Sequence, residues 1–290
     1  MEKNGYTMKK EKLSIDHQKM LTERLREITV PLSEYCFSNL YLFREVHNYH
    51  VITTDDIYIE GSTYDGVRFL MPTRHPSKVN LKDMAKRLSS VDCLFPIPEE
   101  WLLLFQEKGY QHNFNEGDSD YIYSKEKLSS YSGKKLHSKK NLLNQFLRKY
   151  DAEVLSITGD HIPAAIDILD TWQEQLGQPP ENTDYHACRE GLEMFDRLHL
   201  CGVIYYIEGS PAGFLMGEGI TTDTFAIHFA KGLTSYKGIY QYMYNHCAKA
   251  LPDPFQYFNF EQDLGIQALR DAKKSYIPDI TRNKYRLCAG

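Results

Sequence analysis

The sequence contains the same short pattern twice, about half a chain apart. Tyr-Ile-Glu-Gly-Ser at residues 58–62 recurs at 206–210, and Phe-Leu-Met at 69–71 recurs at 214–216. Each copy has an apolar run, a glycine-containing turn and a second apolar run, which is the pattern of a β-hairpin. The repeat therefore predicts two copies of one fold in tandem. Chance similarity between tyrosine-rich hairpins is the alternative.

The glycines within the repeat predict where the chain reverses. These turns fall at residues 61–66 in the first copy and at 209–213 in the second. Between the copies, Tyr-Ser-Gly at 131–133 is a break typical of a domain boundary. We therefore expect an N-terminal domain at 1–133 and a C-terminal domain at 134–290.

Composition limits the class of protein. The chain has 290 residues, of which 42% are apolar, which is enough to form two packed cores of ordinary size. No window approaches the roughly 20 uncharged apolar residues that a membrane-spanning helix requires. The net charge of −5 argues against a surface that binds nucleic acid everywhere. A local basic patch remains compatible with it.

The cysteines and the N-terminal residues bear on location. The six cysteines contain no Cys-x-x-Cys pair, and their spacing suggests neither a disulfide framework nor a zinc site. Residues 1–11 are polar and lysine-rich, without the apolar core of a secretory signal. These features predict a cytoplasmic protein without a bound metal.

The order of elements predicts the fold class. The second half reads β-α-α-β-β-β-α-β-α-β, and the first half shows the same middle and end. An antiparallel meander followed by a β-α-β crossover gives a mixed sheet with helices on both faces. This α/β order is that of the Gcn5-related acyltransferases. We expect the strand at 121–124 to close the first half and the strand at 284–288 to close the second.

A glycine-containing loop at 232–238 is the first candidate site. It follows an apolar strand and precedes a helix, an arrangement in which backbone N–H groups surround an anion. Lys231, Lys237 and Gly238 are therefore predicted to hold phosphate. In Gcn5-related enzymes this loop binds the pyrophosphate of coenzyme A, but residues 232–238 lack their usual glycine pattern. An ordinary strand-to-helix turn is the alternative.

Two carboxylates at the end of the next strand form the second candidate. Glu261 and Asp263 lie two residues apart, so on an extended segment both side chains point to the same face. Paired carboxylates can make one of the two a proton acceptor. Alternatively, Asp263 caps the helix that follows.

Basic residues are concentrated in two segments. The first segment has no Asp or Glu, and its basic residues are Lys134, Lys135, Lys139, Lys140, Arg148 and Lys149. The second segment has only two acidic residues, and its basic residues are Arg270, Lys273, Lys274, Arg282, Lys284 and Arg286. Such clusters can contact the phosphates of RNA, a nucleotide or an anionic lipid. A solvated helix face is the alternative.

Residues 134–146 and the run at 259–278 resemble a bacterial family grouped with the C-terminal domain of phosphatidylglycerol lysyltransferase. That family is similar to the Fem aminoacyltransferases in having two tandem Gcn5-related domains. The resemblance implies aminoacyl transfer from a charged tRNA to an acceptor such as a lipid headgroup. It implies no metal and no cofactor beyond the aminoacyl-tRNA donor.

Under this resemblance, Asp263 or Glu261 accepts a proton from the acceptor. Lys139, Lys140, Arg270 and Lys273 contact the tRNA acceptor end or another anionic substrate. Two other functions remain open: an acyltransferase that uses acyl-coenzyme A, and a binding protein of the same fold without activity.

Overall fold

The chain forms two compact units in a computed structural model that describes residues 8–106 and 109–288. Unit 1 comprises Met1–Asp120, Gln262–Ile266 and Arg282–Gly290, and unit 2 comprises Tyr121–Glu261 and Gln267–Thr281. This division differs from the boundary predicted at residue 133, because unit 2 already begins at Tyr121 and two C-terminal segments belong to unit 1. Most of the lysine-rich N-terminal stretch lies outside the described residues.

Strands and helices follow one another along both units. The strands are β1 (Lys9–Lys12), β2 (His50–Thr53), β3 (Ile57–Ser62), β4 (Arg68–Pro72), β5 (Cys93–Pro98), β6 (Gln111–Phe114), β7 (Asp120–Ser124), β8 (Ala152–Ser156), β9 (Cys201–Ile207), β10 (Ser210–Gly219), β11 (Thr224–Gly232), β12 (Tyr257–Asn259), β13 (Ile280–Arg282) and β14 (Lys284–Cys288). The helices are α1 (Gln18–Leu25), α2 (Phe37–Leu42), α3 (Leu81–Leu88), α4 (Leu102–Gln106), α5 (Lys125–Ser130), α6 (His137–Lys149), α7 (Ile162–Leu176), α8 (Tyr185–Glu193), α9 (Ile239–Ala250) and α10 (Gln267–Lys274).

Each unit is built on one mixed sheet of seven strands. The order is β1-β2-β3-β4-β5-β14-β6 in unit 1 and β13-β7-β12-β11-β10-β9-β8 in unit 2. In unit 1, β4 pairs with β5 in parallel, and in unit 2 β11 pairs with β12 in the same way. The two sheets thus repeat one order, with a helix before the last strand of each parallel pair. The predicted fold class, two mixed sheets flanked by helices, is confirmed.

Strands β7 and β14 each lie in the sheet of the other unit from the one that the sequence order predicts. Strand β14 pairs with β5 and β6 in unit 1, although it comes last in the chain. Strand β7, expected to close the first half, pairs with β12 in unit 2. These two assignments were wrong because apolar periodicity shows that a short strand is buried, not which sheet it completes.

The repeated pentapeptide occupies different places in the two sheets. By sheet order β3 corresponds to β10, and residues 58–62 lie within β3. In the second copy, Tyr206 and Ile207 end β9, while Glu208 and Gly209 form the turn with φ of 51° and 76°. The first turn also falls later than predicted, after Ser62. The fold is repeated, but the matching pentapeptides lie on strands that are not equivalent: the first lies in β3, and the second begins in β9, one strand before the equivalent β10.

Helix α9 packs against α6 at its first turn in unit 2. It begins after Gly238, whose φ is 92°. A Cβ atom at this position would lie 2.5 Å from the carbonyl oxygen of Leu142 in α6. Glycine is therefore required both by the left-handed backbone and by the close approach of α6. This contact accounts for Gly238 without a ligand.

Candidate functional site

A β-bulge between β10 and β11 places one histidine outside the regular pairing. Met216 pairs with Phe229 and Gly217 pairs with Ile227, so His228 is the extra residue on β11. A Cβ atom on Gly217 would lie 1.8 Å from the backbone oxygen of Ala226, which excludes any other residue there. Bulges re-aim side chains and are common beside active sites.

His228 lies between two glutamates of unit 2. Its Nδ1 is 2.8 Å from Glu261 Oε1, and its Nε2 is 3.2 Å from Glu218 Oε1. The imidazole is fully buried, whereas the side chains of Glu218 and Glu261 are 20% and 14% exposed. The carboxylates can therefore meet a substrate while the histidine holds them. We call Glu218, His228 and Glu261 the carboxylate–histidine cluster.

The backbone of Glu261 is held in an unusual conformation. Its φ is 59°, in the left-handed region that residues other than glycine seldom adopt. The buried side chain of Asn259 accepts a hydrogen bond from the Glu261 N–H at 2.6 Å, and Tyr121 N–H donates to the Glu261 carbonyl at 3.3 Å. Strain of this kind persists where surrounding contacts over-determine it, and it is frequent at functional sites.

The cluster is arranged to hold and release a proton. Each ring nitrogen faces a carboxylate oxygen, and each contact needs one hydrogen. Both contacts are satisfied by an imidazolium between two carboxylates, or by a neutral imidazole with one protonated glutamate. When the cluster loses one of its two protons, a nitrogen lone pair of His228 faces a carboxylate oxygen. The cluster can then accept a proton again. The chemistry available is general acid–base catalysis.

Tyr276 links α6 to the end of α10 in unit 2. Lys139 Nζ in α6 lies 4.1 Å from the centre of the Tyr276 ring, and burial lowers the pKa of this lysine. The carbonyl of Lys273 in α10 accepts hydrogen bonds from Tyr276 N–H at 3.1 Å and from Tyr123 Oη at 2.7 Å. Lys140 is exposed and Arg270 is half-buried. Lys139 of α6 and the backbone of Lys273 in α10 therefore both lie beside Tyr276.

The glycine loop after β11 is largely bonded within unit 2. Gly232 N–H donates to Tyr240 Oη at 3.2 Å, Leu233 N–H to the Ala212 carbonyl at 2.9 Å, and Tyr236 N–H to the Leu233 carbonyl at 3.1 Å. These donors are used by the protein itself. The arrangement is that of a strand-to-helix turn, the alternative already identified from the sequence.

The two lysines of this loop differ in accessibility. Lys231 is buried. Its Nζ lies 2.6 Å from Asp184 Oδ1 and 3.6 Å from the centre of the Trp172 ring. Its charge is thus neutralised inside the unit. Lys237 is exposed and precedes Gly238 at the start of α9. Only Lys237 is accessible to an anion, and the phosphate role of both lysines stays a prediction.

Asp263 caps a turn. It belongs to unit 1, is fully buried, and accepts a hydrogen bond from Gly265 N–H at Oδ1, 2.8 Å away. The segment is not extended, since Glu261 and Leu264 have φ of 59° and 57°. The premise that Glu261 and Asp263 share one face of an extended chain was therefore wrong. Asp263 therefore stabilises the turn that precedes α10, and its catalytic role stays a prediction.

Sequence reasoning found Glu261 but missed Glu218 and His228. The available signal was a single histidine in the otherwise apolar strand Phe-Ala-Ile-His-Phe-Ala at 225–230. Such a residue faces either a core partner or a site. The bulge that turns His228 toward the glutamates depends on the pairing between β10 and β11. Gly217 permits this pairing, but a glycine in the sequence does not by itself predict it.

Three basic residues of the C-terminal segment serve unit 1 internally. Arg282 bonds Glu100 at 2.6 Å, and Arg286 bonds Asp65 and Asp118, each at 2.7 Å. Lys284 is fully buried in a cluster of its own. Burial excludes Lys284 from an external phosphate, so that expectation was wrong. Arg282 and Arg286 are paired with acidic side chains of unit 1, and their contact with a phosphate stays a prediction.

The buried cluster around Lys284 has four polar partners. Its Nζ lies 2.7 Å from Glu34 Oε2, 2.6 Å from Asp120 Oδ1 and 2.6 Å from Gln262 Oε1, with Ser33 Oγ at 3.1 Å. Burial, opposed by the Lys284 charge and reinforced by the Asp120 charge, raises the pKa of Glu34 to about 7. The two carboxylates raise the pKa of Lys284 against the effect of its burial. We call this group the buried lysine cluster.

The fold and the sequence together define the class of protein. The seven-stranded order, repeated in both units, is that of tandem Gcn5-related acyltransferase-like domains. The family model described as phosphatidylglycerol lysyltransferase, C-terminal, matches residues 26–288. The chain therefore belongs to that family, which is aminoacyltransferase-like. None of the curated proteins matches the chain.

Solved structures share this fold over nearly the whole chain. A conserved protein of unknown function from Bacteroides thetaiotaomicron is 25% identical, with a TM-score of 0.86 over 98% of this chain and 100% of the other. The C-terminal domain of a putative lysylphosphatidylglycerol synthetase from Agrobacterium fabrum is 12% identical, with a TM-score of 0.62 over 96% and 93%. FemX is 8% identical, with a TM-score of 0.61 over 96% of each chain.

Within residues 8–106 and 109–288, no helix has both the length and the apolar character needed to cross a membrane.

Proposed function

We propose that this protein transfers an aminoacyl group from aminoacyl-tRNA to a hydroxyl or amine acceptor, such as the headgroup of phosphatidylglycerol. The observation that carries the proposal is the carboxylate–histidine cluster, which lies in a protein of an aminoacyltransferase-like family. Glu261 is the proposed proton acceptor, because its side chain is partly exposed and hydrogen-bonded to His228. Asp263 is not assigned this role, since its carboxylate is buried.

The reaction needs little activation of the donor. The ester that links an amino acid to the ribose of tRNA is already reactive, so the protein has to orient the acceptor and move protons. The acceptor oxygen or nitrogen attacks the ester carbonyl and gives its proton to Glu261. The ribose oxygen leaves and takes a proton in turn from the cluster. Glu218 and His228 keep the second proton in place throughout.

The basic region around Tyr276 supplies a contact for the tRNA acceptor end. Lys139, Lys140, Arg270 and Lys273 are proposed to bind its phosphates, and the exposed Lys237 is a further candidate. Such contacts depend on salt, because each neutralised phosphate releases counterions. The proposal predicts that raised salt weakens donor binding before it affects the fold.

An acyl-coenzyme A donor is the alternative within the same fold. It requires free N–H groups in the loop at 232–238 to hold the pyrophosphate. The N–H groups of Gly232, Leu233 and Tyr236 are already bonded within unit 2. Together with the missing glycine pattern of residues 232–238, this observation supports aminoacyl-tRNA as the donor in our proposal. A protein that binds the donor without reacting is the remaining possibility.

The test is a transfer assay with both donor classes. The purified chain is incubated with radiolabelled aminoacyl-tRNA, or with labelled acetyl-coenzyme A, and with vesicles that contain phosphatidylglycerol. We expect label in the lipid fraction only from aminoacyl-tRNA. Transfer from acetyl-coenzyme A alone would reject the proposal, and binding of aminoacyl-tRNA without transfer to lipid or other acceptors would support the non-catalytic reading.

A further inference from the structure

Two cysteines lie at the adjoining ends of neighbouring strands of unit 1. Strands β5 and β14 are antiparallel, and Leu94 pairs with Leu287. One step further along both strands brings Cys93 opposite Cys288, and each residue lies within its strand. Directly opposed residues of an antiparallel pair have Cα atoms about 4.5–5.5 Å apart. This separation lies inside the range of about 4.4–6.8 Å that a disulfide spans.

The electrostatics of Cys93 agree with this proximity. Burial raises the pKa of the Cys93 thiol to about 12, and Cys288 is the next largest contribution. Both cysteines are free thiols. Cys93 is fully buried, whereas Cys288 is partly exposed at the end of β14. The pair therefore consists of one accessible thiol and one thiol that only a neighbour can reach.

We propose that Cys93 and Cys288 are a site of reversible oxidation, at which a small disulfide such as oxidised glutathione links β14 to β5. In the first step the Cys288 thiolate attacks oxidised glutathione, forms a mixed disulfide and releases one glutathione. In the second step the Cys93 thiolate attacks the Cys288 sulfur, and the second glutathione leaves. Two protein thiols lose two hydrogens, and one glutathione disulfide becomes two thiols.

The two steps differ in rate for a physical reason. Thiolate is the attacking species, and the pKa of about 12 leaves little Cys93 thiolate at neutral pH. The mixed disulfide on Cys288 should therefore accumulate before the internal bond forms. Between pH 7 and pH 9 the thiolate fraction of Cys93, and with it the rate of the second step, should rise about 100-fold.

The experiment is oxidation of the folded full-length chain with oxidised glutathione, followed by blocking of free thiols and peptide mass spectrometry without reductant. We expect a peptide that joins Cys93 to Cys288, and a melting temperature about 5 °C or more higher, because the bond closes a long loop of the chain. The exposed Cys201 is the internal control and should carry glutathione only.

Two variants separate this site from unspecific oxidation. Cys93→Ser should stop at the mixed disulfide on Cys288, and Cys288→Ser should leave Cys93 reduced. If the wild-type chain, folded by circular dichroism, forms no joined peptide after prolonged oxidation at pH 9, the proposal is wrong. It is equally wrong if Cys93 becomes glutathionylated in the Cys288→Ser variant at the wild-type rate of Cys288.

Discussion

The two units each contain one basic side chain between two carboxylates, but the two clusters differ in burial. In unit 1, Lys284 and Asp120 are fully buried and Glu34 is 5% exposed. In unit 2 only the imidazole of His228 is fully buried, and both of its glutamates reach solvent. A sealed cluster can only stabilise the fold, whereas an accessible one can exchange protons with a substrate. This difference in exposure supports the proposal that unit 2 carries the chemistry and that the cluster of unit 1 is structural.

The basic residue at the centre of each cluster also differs: it is Lys284 in unit 1 and His228 in unit 2. Lysine keeps its charge over the whole physiological range, so the buried lysine cluster is a fixed anchor for the segments that carry Glu34, Asp120, Gln262 and Lys284. Histidine changes charge near neutral pH, so the carboxylate–histidine cluster is suited to proton transfer. Because each cluster lies within its own unit, substitutions can separate the two roles.

The largest effect is expected from Lys284→Met. Removing this ammonium leaves the carboxylates of Glu34 and Asp120 buried without their partner, which should lower the free energy of unfolding by about 3–5 kcal/mol. Urea unfolding measures the change. Lys140→Met, at an exposed position of α6, should stay within about 0.5 kcal/mol of the wild type. An unchanged urea midpoint for Lys284→Met would show that the cluster is not an anchor.

His228→Gln should affect activity more than stability. Glutamine occupies similar space but cannot carry the proton between Glu218 and Glu261, so the transfer rate should fall about 100-fold. Single-turnover transfer from labelled aminoacyl-tRNA measures it, with thermal melting to check the fold. His186→Gln on the exposed face of α8 is the matched control and should keep the wild-type rate. A wild-type rate for His228→Gln would remove histidine from the mechanism.

Gly217→Ala should disturb the bulge that presents His228. The new methyl group would overlap the Ala226 carbonyl, so the strands must shift, at a cost of about 2 kcal/mol in the free energy of unfolding. The transfer rate should fall as well, because His228 moves relative to the glutamates. Gly159→Ala is the control, since a Cβ atom there meets nothing within 4 Å. Equal stability of the two variants would contradict this role of Gly217.

The smallest effect is a pH dependence that originates in unit 1. Because the pKa of Glu34 is raised from 4.5 to about 7, the folded state retains a proton that the unfolded chain releases between these values. The free energy of unfolding should therefore fall as pH rises through this window, by about 1 kcal/mol between pH 6 and pH 7. Glu34→Gln should flatten that part of the profile. A wild-type slope in Glu34→Gln would place its origin elsewhere.

The sequence predicted the fold more fully than the site. Helical and strand periodicities gave the element order from α6 to α10 in unit 2, and the paired carboxylates pointed to Glu261 as a candidate. The pairing partners of β7 and β14 could not be read, because a short apolar strand fits either sheet. The repeat at 58–62 and 206–210 led to the right fold through residues that are not equivalent in the two sheets.

The site was incomplete for a related reason. Glu218 and His228 are brought to Glu261 by one bulge, which arises from strand pairing and leaves no periodic signal. Lys231 and Lys284 appeared to be free cations, but long-range partners at Asp184, Glu34 and Asp120 neutralise them. Charge patterning identifies basic residues, whereas only the tertiary structure shows which of them remain available to a ligand.

Single-turnover transfer by Glu261→Gln tests the central claim most directly. Glutamine keeps the size of Glu261 but cannot accept the proton of the attacking acceptor, so the rate from saturating aminoacyl-tRNA should fall about 100-fold or more. Glu153→Gln, at an exposed position of β8, should transfer at the wild-type rate. A Glu261→Gln variant that melts like the wild type and transfers equally fast would contradict the assignment of chemistry to unit 2.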